Sequence, residues 1–453
     1  MSVTSAERAV APGASRREIF GWAMFDFANQ AYTLLIITVV FGELFTTVIV
    51  GDRDDNFRLA NLLWSLALAV SYLLVVVTGP LCGAVMDYRA EKKRFLFVSY
   101  LATVATTAML YFVEPGYVVL GLVLIIFSNY AYSMGESFIA AFLPGLGPPE
   151  KLGGISGFGW ALGYIGGLVA AGFTLTVLGE ATEDNFERIR WVGPFAAGFF
   201  LVAAIPTFAW LKERGQSQPV TVSFTQIAWR RVSTTLHELR HFRDLGVFLV
   251  SLLFSMAGVY IVIAFAFIYG AQVIGWDATT RNLMFIIVQL TAAAGALGFG
   301  VIQDRIGTRV TYLFTLVLWV LAILSIWATP QVTAWLNATF GLAWEAQQLF
   351  LVVGCLAGLS LGSSQSASRV LVGLFSPAQK SAEFFGFWGL ANKLAGVVGI
   401  VGLGLLQAVV GLQASILLCA AFFILAIVIC LKVNEARGRQ AARDWESRRE
   451  GGA

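Results

Sequence analysis

The residues best placed to do chemistry in this chain are polar and charged side chains set inside long apolar stretches. Asp26, Asn29 and Gln30 recur at i, i+3 and i+4, so on a helix they share one face. Asn129, Tyr132, Ser133 and Glu136 follow the same spacing. Gln365, Ser366, Ser368 and Arg369 make a third group, and Asn392 with Lys393 a fourth, beside a glycine-rich face. A charge at bilayer depth costs at least about 2.5 kcal/mol, so each needs a partner, a wet cavity or a function. Buried acids are candidates for taking up and releasing a proton, because surroundings tune their titration. An arginine can hold a carboxylate through two parallel hydrogen bonds. Such a set suits recognition and movement of a small solute. For Asp26 the plainer alternative is a cap at the end of the first apolar span.

The elements that must position these residues are membrane helices. The chain has 453 residues, 58% of them hydrophobic and 13% charged, where a soluble domain carries nearer a quarter charged. Twelve stretches approach the roughly 20 apolar residues a helix needs to span a bilayer. They run near 20–48, 59–85, 94–113, 117–142, 153–178, 191–211, 245–272, 282–302, 309–329, 347–374, 383–408 and 411–432. No short apolar region with a small-residue cleavage site precedes them, so no removable signal is expected. The two tails and alternate loops hold 23 of the 30 Lys+Arg, which predicts that both termini are cytoplasmic. The longest polar segment, 212–244, places Phe224, Ile227, Val232, Leu236, Leu239 and Phe242 at helical spacing among arginines. It reads as an amphipathic linker helix on the cytoplasmic leaflet. The expected division is therefore a six-helix bundle over 1–211, the linker 212–244, a second bundle over 245–433 and a cytoplasmic tail over 434–453, frayed or helical in solution. The four cysteines read as small apolar residues.

Three local matches relate the halves. Gly83-x-x-x-Asp87-x-Arg89 after the second span resembles Gly300-x-x-x-Asp304-Arg305-x-Gly307-x-Arg309 after the eighth. Phe142-Leu143-Pro144 matches Phe375-Ser376-Pro377, and Gly157-Phe158 matches Gly386-Phe387. The order and topology predict an all-α membrane protein of twelve transmembrane helices built as two six-helix pseudo-repeats. In the loop element, the glycine allows close helix approach and the aspartate can pair with a base or cap a neighbouring helix. The basic residues hold the loop on an anionic leaflet. Gly159, Gly163 and Gly167, and likewise Gly396, Gly399 and Gly402, offer close backbone contact, for static packing or for sliding.

The paired loop element with twelve helices resembles the major facilitator superfamily. The stretches Trp22–Tyr32, Ser156–Gly167 and Gln365–Arg369 with Glu383–Gly386 resemble its vacuole-effluxer-like branch, known from fungal autophagy-related amino-acid effluxers. The resemblance implies the major facilitator fold and secondary transport by alternating access. The chain departs from the pattern at Tyr88 and Ala90, where a base and a glycine are usual. It also reads Phe254-Ser255-Met256-Ala257-Gly258 where the family often has an acid in the seventh helix.

The expected function is secondary active transport of a small polar solute, an amino acid or related metabolite, with a proton as coupling ion through Asp26 and Glu136. A non-transporting receptor, scaffold or lipid-handling protein of the same fold is the alternative. No enzyme activity, cofactor, metal or nucleic-acid partner is expected. His237-Glu238-Leu239-Arg240-His241 matches a zinc-protease motif, but the chain's two histidines are both in it and no third ligand is at hand. There is no Gly-x-x-x-x-Gly-Lys phosphate loop. The expected location is a bacterial inner (plasma) membrane, as a monomer. The repeat offset that aligns Pro144 with Pro377 also aligns Glu136 with Arg369. It predicts a central Glu136–Arg369 charge pair opened by a substrate carboxylate, or, alternatively, an Arg369 paired with Asp304 or Glu383 at the cytoplasmic gate.

Overall fold

A computed structural model describes residues 14–51, 58–179, 184–215 and 242–450. All regular structure among them is helical. Twelve helices are long and apolar enough to cross a membrane: α1 Arg16–Val50, α2 Leu59–Arg89, α3 Lys92–Phe112, α4 Val118–Gly145, α5 Pro149–Leu178, α6 Phe186–Trp210, α7 Arg243–Ile274, α8 Thr279–Ile306, α9 Thr308–Phe340, α10 Ala346–Phe375, α11 Ala378–Gln407 and α12 Leu412–Cys430. The chain is an integral, multi-pass membrane protein. Its outer surface is correspondingly apolar, with Leu66, Val77, Leu405 and Val409 among many exposed aliphatic side chains. The expected linker helix lies mostly outside the described residues, as does the His237–His241 motif.

The two halves repeat one packing scheme. In the first bundle α1 lies on α5 and α6, α2 on α4, and α3 on α4 and α6. In the second, α7 lies on α11 and α12, α8 on α10, and α9 on α10 and α12. This is the arrangement of two six-helix pseudo-repeats that the sequence predicts. The bundles meet chiefly through α2 against α11 and α5 against α8, which are equivalent pairs under the repeat.

Each bundle is tied shut at its basic end by a matching set of bonds. Glu18 at the start of α1 accepts from the Lys212 amide (3.2 Å) and from the Arg214 guanidinium, just past α6. Asp244 at the start of α7 accepts from the Asn434 amide (2.7 Å) and from Arg437 (2.7 and 2.8 Å), just past α12. Glu213 then takes the Lys93 amide at the start of α3 (2.6 Å), and Glu435 the Arg309 amide at the start of α9 (2.8 Å). An acid at a helix N-terminus satisfies donors that the helix cannot.

The tail is helical, one of the two forms expected, but it is docked and does not lie free in solution. Residues Glu435–Glu450 form helix α13, docked on the second bundle. Glu446 accepts the Ala378 amide at 2.7 Å, and Lys380 lies 5.1 Å from the Trp445 ring centroid. Gly438 seats on Phe375, where a methyl group would come within 2.6 Å of the ring. Three such contacts to one bundle offset the ordering entropy that a free polar tail would retain. The start of α1 at Arg16, ahead of the apolar run, has a local cause: Ser15 Oγ accepts from the Glu18 amide and caps the helix.

Candidate solute site between the bundles

The loop elements position the bundles before any central residue can act. Asp87, at the basic end of α2, accepts from the Glu383 amide at the start of α11 (2.9 Å) and pairs with Lys92 at 3.2 Å. Asp304, at the basic end of α8, accepts from the Gly153 and Gly154 amides at the start of α5, both at 2.8 Å. Each aspartate thus caps a helix of the other bundle. The glycine four residues earlier supplies the room. A methyl at Gly83 would overlap the Ala382 carbonyl, and one at Gly300 would come within 2.8 Å of the Gly153 carbonyl. Gly157 against Ala296, and Gly386 against Gly79 and Pro80, extend the two contacts toward mid-membrane.

The other residues of the two elements do lesser work. Arg89 lies 3.4 Å from Glu91, and Arg305 is exposed. Arg309 bonds the terminal carbonyls of α12 through its guanidinium, at 2.9 Å to Leu431. Gly307 turns the chain at φ +96°, ψ +143°, and Ala90 holds the matching turn of the first copy at φ +52°.

Two ion pairs then cross the interface at depth. Arg369 on α10 bonds Asp26 on α1 at 2.7 Å, and both side chains are nearly buried. Arg369 also donates to the Ser156 hydroxyl (3.1 Å) and carbonyl (2.9 Å) on α5. Trp22 and Trp160 lie 4.5 and 5.2 Å from its guanidinium carbon, a cation–π arrangement. Gly159 makes the space: a methyl there would sit 2.7 Å from the Asp26 carboxylate and 3.0 Å from the guanidinium. Lys393 on α11 meets Glu136 on α4 at 3.1 Å, and its ammonium lies 5.2 Å from the Tyr72 ring centroid. Tyr132 donates to Glu136 at 2.8 Å and receives a bond from Thr33. Both acids belong to the first bundle and both bases to the second.

These partners overturn the expected central pair. Glu136 and Arg369 do not bond each other, and Arg369 bonds neither Asp304 nor Glu383 among the contacts described. The repeat offset relates α4 to α10, but those helices stand diagonally across the interface. Helix α4 packs on α11, and α10 packs on α5. Glu136 therefore meets Lys393 on the helix that adjoins its own, while Arg369 reaches past α5, where Gly159 leaves room, to Asp26 on α1. The capping alternative for Asp26 also falls, since its carboxylate is buried on Arg369 and Ser15 caps α1.

The remaining candidates divide. Gln365 and Asn392 line a small cavity together with Glu136, Lys393, Trp160 and Trp388. Gln365 accepts from Tyr164 on α5, a further bond between bundles. Asn392 donates to the Trp388 carbonyl at 2.8 Å. Asn29 is buried near Asp26, and Gln30 lies against Gly163. Asn129 faces away from the cavity and donates to Ser71 on α2, a packing bond inside the first bundle. Of the glycine rows of α5 and α11, Gly163 meets the Asp26 carbonyl and Gly399 the Ala257 carbonyl within their own bundles, while Gly159 lies between Asp26 and Arg369. Ser156 and Trp22 complete the Arg369 site without having been singled out for it. A buried arginine's need for acceptors and ring faces was the available signal.

With this geometry in place, comparison with known proteins is informative. The sequence profile of the family described as "Vacuole effluxer Atg22 like" matches residues 61–152 and 150–443. A Bacillus subtilis protein named "Uncharacterized MFS-type transporter YxiO" is 24% identical over 91% of this chain and 94% of its own length. Among solved structures, the proton:xylose symporter XylE superposes with a TM-score of 0.67 at 15% identity, covering 93% of this chain and 96% of that one. The transporter FucP, in an outward conformation, gives 0.69 at 13% identity over 92% and 98%. Twelve helices in two matched bundles, crosswise aspartate caps and a profile match over most of the length lead to one assignment: the chain belongs to the vacuole effluxer Atg22-like family of major facilitator superfamily transporters.

Proposed function

We propose that this transporter moves a small polar solute, an amino acid or related metabolite, by alternating access driven by a proton gradient. The observation that carries the reading is the pair of ion pairs, Asp26–Arg369 and Glu136–Lys393, each joining the two bundles at depth. Breaking a buried ion pair without replacing a partner costs roughly 3–5 kcal/mol, so the bundles part at depth only when something compensates the charges. A solute carrying opposite charges can take one base and one acid. A proton can neutralise an acid. The amino-acid class follows from the resemblance to amino-acid effluxers and from charges of both signs. Proton coupling follows from the two acids in the interface, Asp26 buried and Glu136 part-buried, and from the likeness to a proton symporter.

In this reading the basic end faces the cytoplasm of a bacterial inner membrane. The contacts between bundles described above lie toward that end, so the state is closed to the cytoplasm. The bundles then correspond to 1–211 and 245–433, joined by the cytoplasmic linker 212–244, and the protein acts as a monomer. Cysteines placed at Asp54 and Ser217 should label from opposite sides, and labelling from one side refutes the topology.

The test of function is solute uptake by proteoliposomes under an imposed pH gradient. Uptake should fall when a protonophore collapses the gradient, and Glu136→Gln should leave solute movement that no longer responds to it. Undiminished uptake with a protonophore, together with a sodium requirement, would refute proton coupling.

A further inference from the structure

We propose that the cavity between the bundles is a carboxylate-recognising site in which Lys393, and not Arg369, receives the solute's acid group, with the indole N–H groups of Trp160 and Trp388 and the Ser133 hydroxyl as additional donors. This rests on the transport reading above. The cavity amounts to about 40 Å3, room for a water molecule or two, so the bundles must part before a metabolite is seated.

Its walls carry a surplus of donors. Trp160 Nε1, Trp388 Nε1 and Ser133 Oγ are buried and lack a hydrogen-bond partner among the described residues, and all three side chains line the cavity. An indole can only donate, and a hydroxyl can do so. The side-chain acceptors Gln365 Oε1 and Glu136 on the same walls are already engaged. Gln365 Oε1 takes the Tyr164 hydroxyl, Glu136 Oε1 takes Tyr132, and Glu136 Oε2 takes Lys393. The Lys393 ammonium has three protons, of which one goes to Glu136. Buried donors without partners are unfavourable, so two indoles, one on α5 and one on α11, beside an ammonium, await an acceptor-rich anion. A carboxylate supplies that.

Arg369 is built otherwise. It is 2% exposed, gives hydrogen bonds to Asp26 and to both oxygens of Ser156, and is flanked by two indoles. It is absent from the cavity wall. Its role is to clasp the bundles, and the solute's own charge is read at Lys393 and Glu136.

The test is ligand-induced thermal stabilisation of the full-length protein in detergent, titrated with three matched sets. These are the common amino acids, the amines that lack their carboxylate, and the carboxylic acids that lack their amino group. Stabilisation is expected from members of the carboxylate-bearing sets and from none of the amines. Trp388→Phe and Trp160→Phe, which remove the N–H and keep a ring, should each weaken the bound compound about tenfold, and Ser133→Ala severalfold. Ligand-free melting of each variant is recorded alongside; if Trp160→Phe melts early, Trp388→Phe and Ser133→Ala decide. Equal stabilisation by amines, no stabilisation by any carboxylate, or unchanged affinity in these variants overturns the proposal. Uptake in proteoliposomes separates the two claims. Binding as expected without uptake refutes transport alone, and uptake with unchanged affinity in the variants refutes this site alone.

Discussion

The two clasps between the bundles are copies of one element, yet they reach the same end with different means. At α2–α11, Asp87 is almost fully buried, holds one amide of the other bundle and is charge-paired with Lys92, itself bonded to Ser381. At α8–α5, Asp304 holds two amides and is half-exposed. The turn that follows is Gly307 in the second copy and Ala90 in the first, both at positive φ. What the copies share is the glycine that lets the helices touch and the aspartate that caps the opposing helix. The flanking bases and the turn glycine are replaceable. The first clasp is therefore a charge lock, and the second an amide cap.

The comparison can be broken at its strongest point. Asp87→Ala strands the buried Lys92 ammonium and should destabilise the fold by about 3–5 kcal/mol. Asp304→Ala loses only cap bonds and should cost about 1–2 kcal/mol. Melting of the two purified variants checks the order, and equal losses would refute the distinction. Next in size, Gly157→Leu drives a side chain into the Ala296 backbone and should force the basic end open. A cysteine at Ser137, on the cavity wall, should then label from the basic side in that variant and resist labelling from that side in the parent. The turns carry backbone strain instead. Gly307→Ala places a Cβ where backbone is strained and should cost about 1–3 kcal/mol. Ala90→Gly relieves left-handed strain and should stabilise by up to about 1 kcal/mol.

The fold was legible because bilayer length and the placement of lysine and arginine leave strong marks. The repeat of Gly83–Asp87 as Gly300–Asp304 also pointed to the clasps, since close approach and capping need those residue types at that interval. The site was legible only in part. Asp26, Glu136, Arg369 and Lys393 stood out as charges in apolar surroundings, and all four lie at the interface. Their pairing did not follow, because an offset between repeats fixes depth and says nothing of which helices adjoin. Asn129 resembled Glu136 in spacing, but a helix face broad enough to carry both touches α2 on one side and the cavity on the other. The tie from Glu18 to Arg214, repeated as Asp244 to Arg437, joins residues nearly 200 positions apart, and only the packed ends of the bundles bring them together. The docking of α13 escaped notice because a polar, charge-rich segment looks the same whether it is free or held by a few bonds.

The central claim is that the bundles are joined at depth by Asp26–Arg369 and by Glu136–Lys393. Double-mutant cycles on stability test it most directly, using Asp26→Asn, Arg369→Gln, Glu136→Gln and Lys393→Met singly and in pairs. Each single change strands a charge, and removing the true partner should restore part of the loss. The account predicts coupling of about 1–3 kcal/mol for Asp26 with Arg369 and for Glu136 with Lys393, and a value near the additive limit of about 0.5 kcal/mol for Glu136 with Arg369. Strong coupling confined to Glu136 and Arg369 would contradict it.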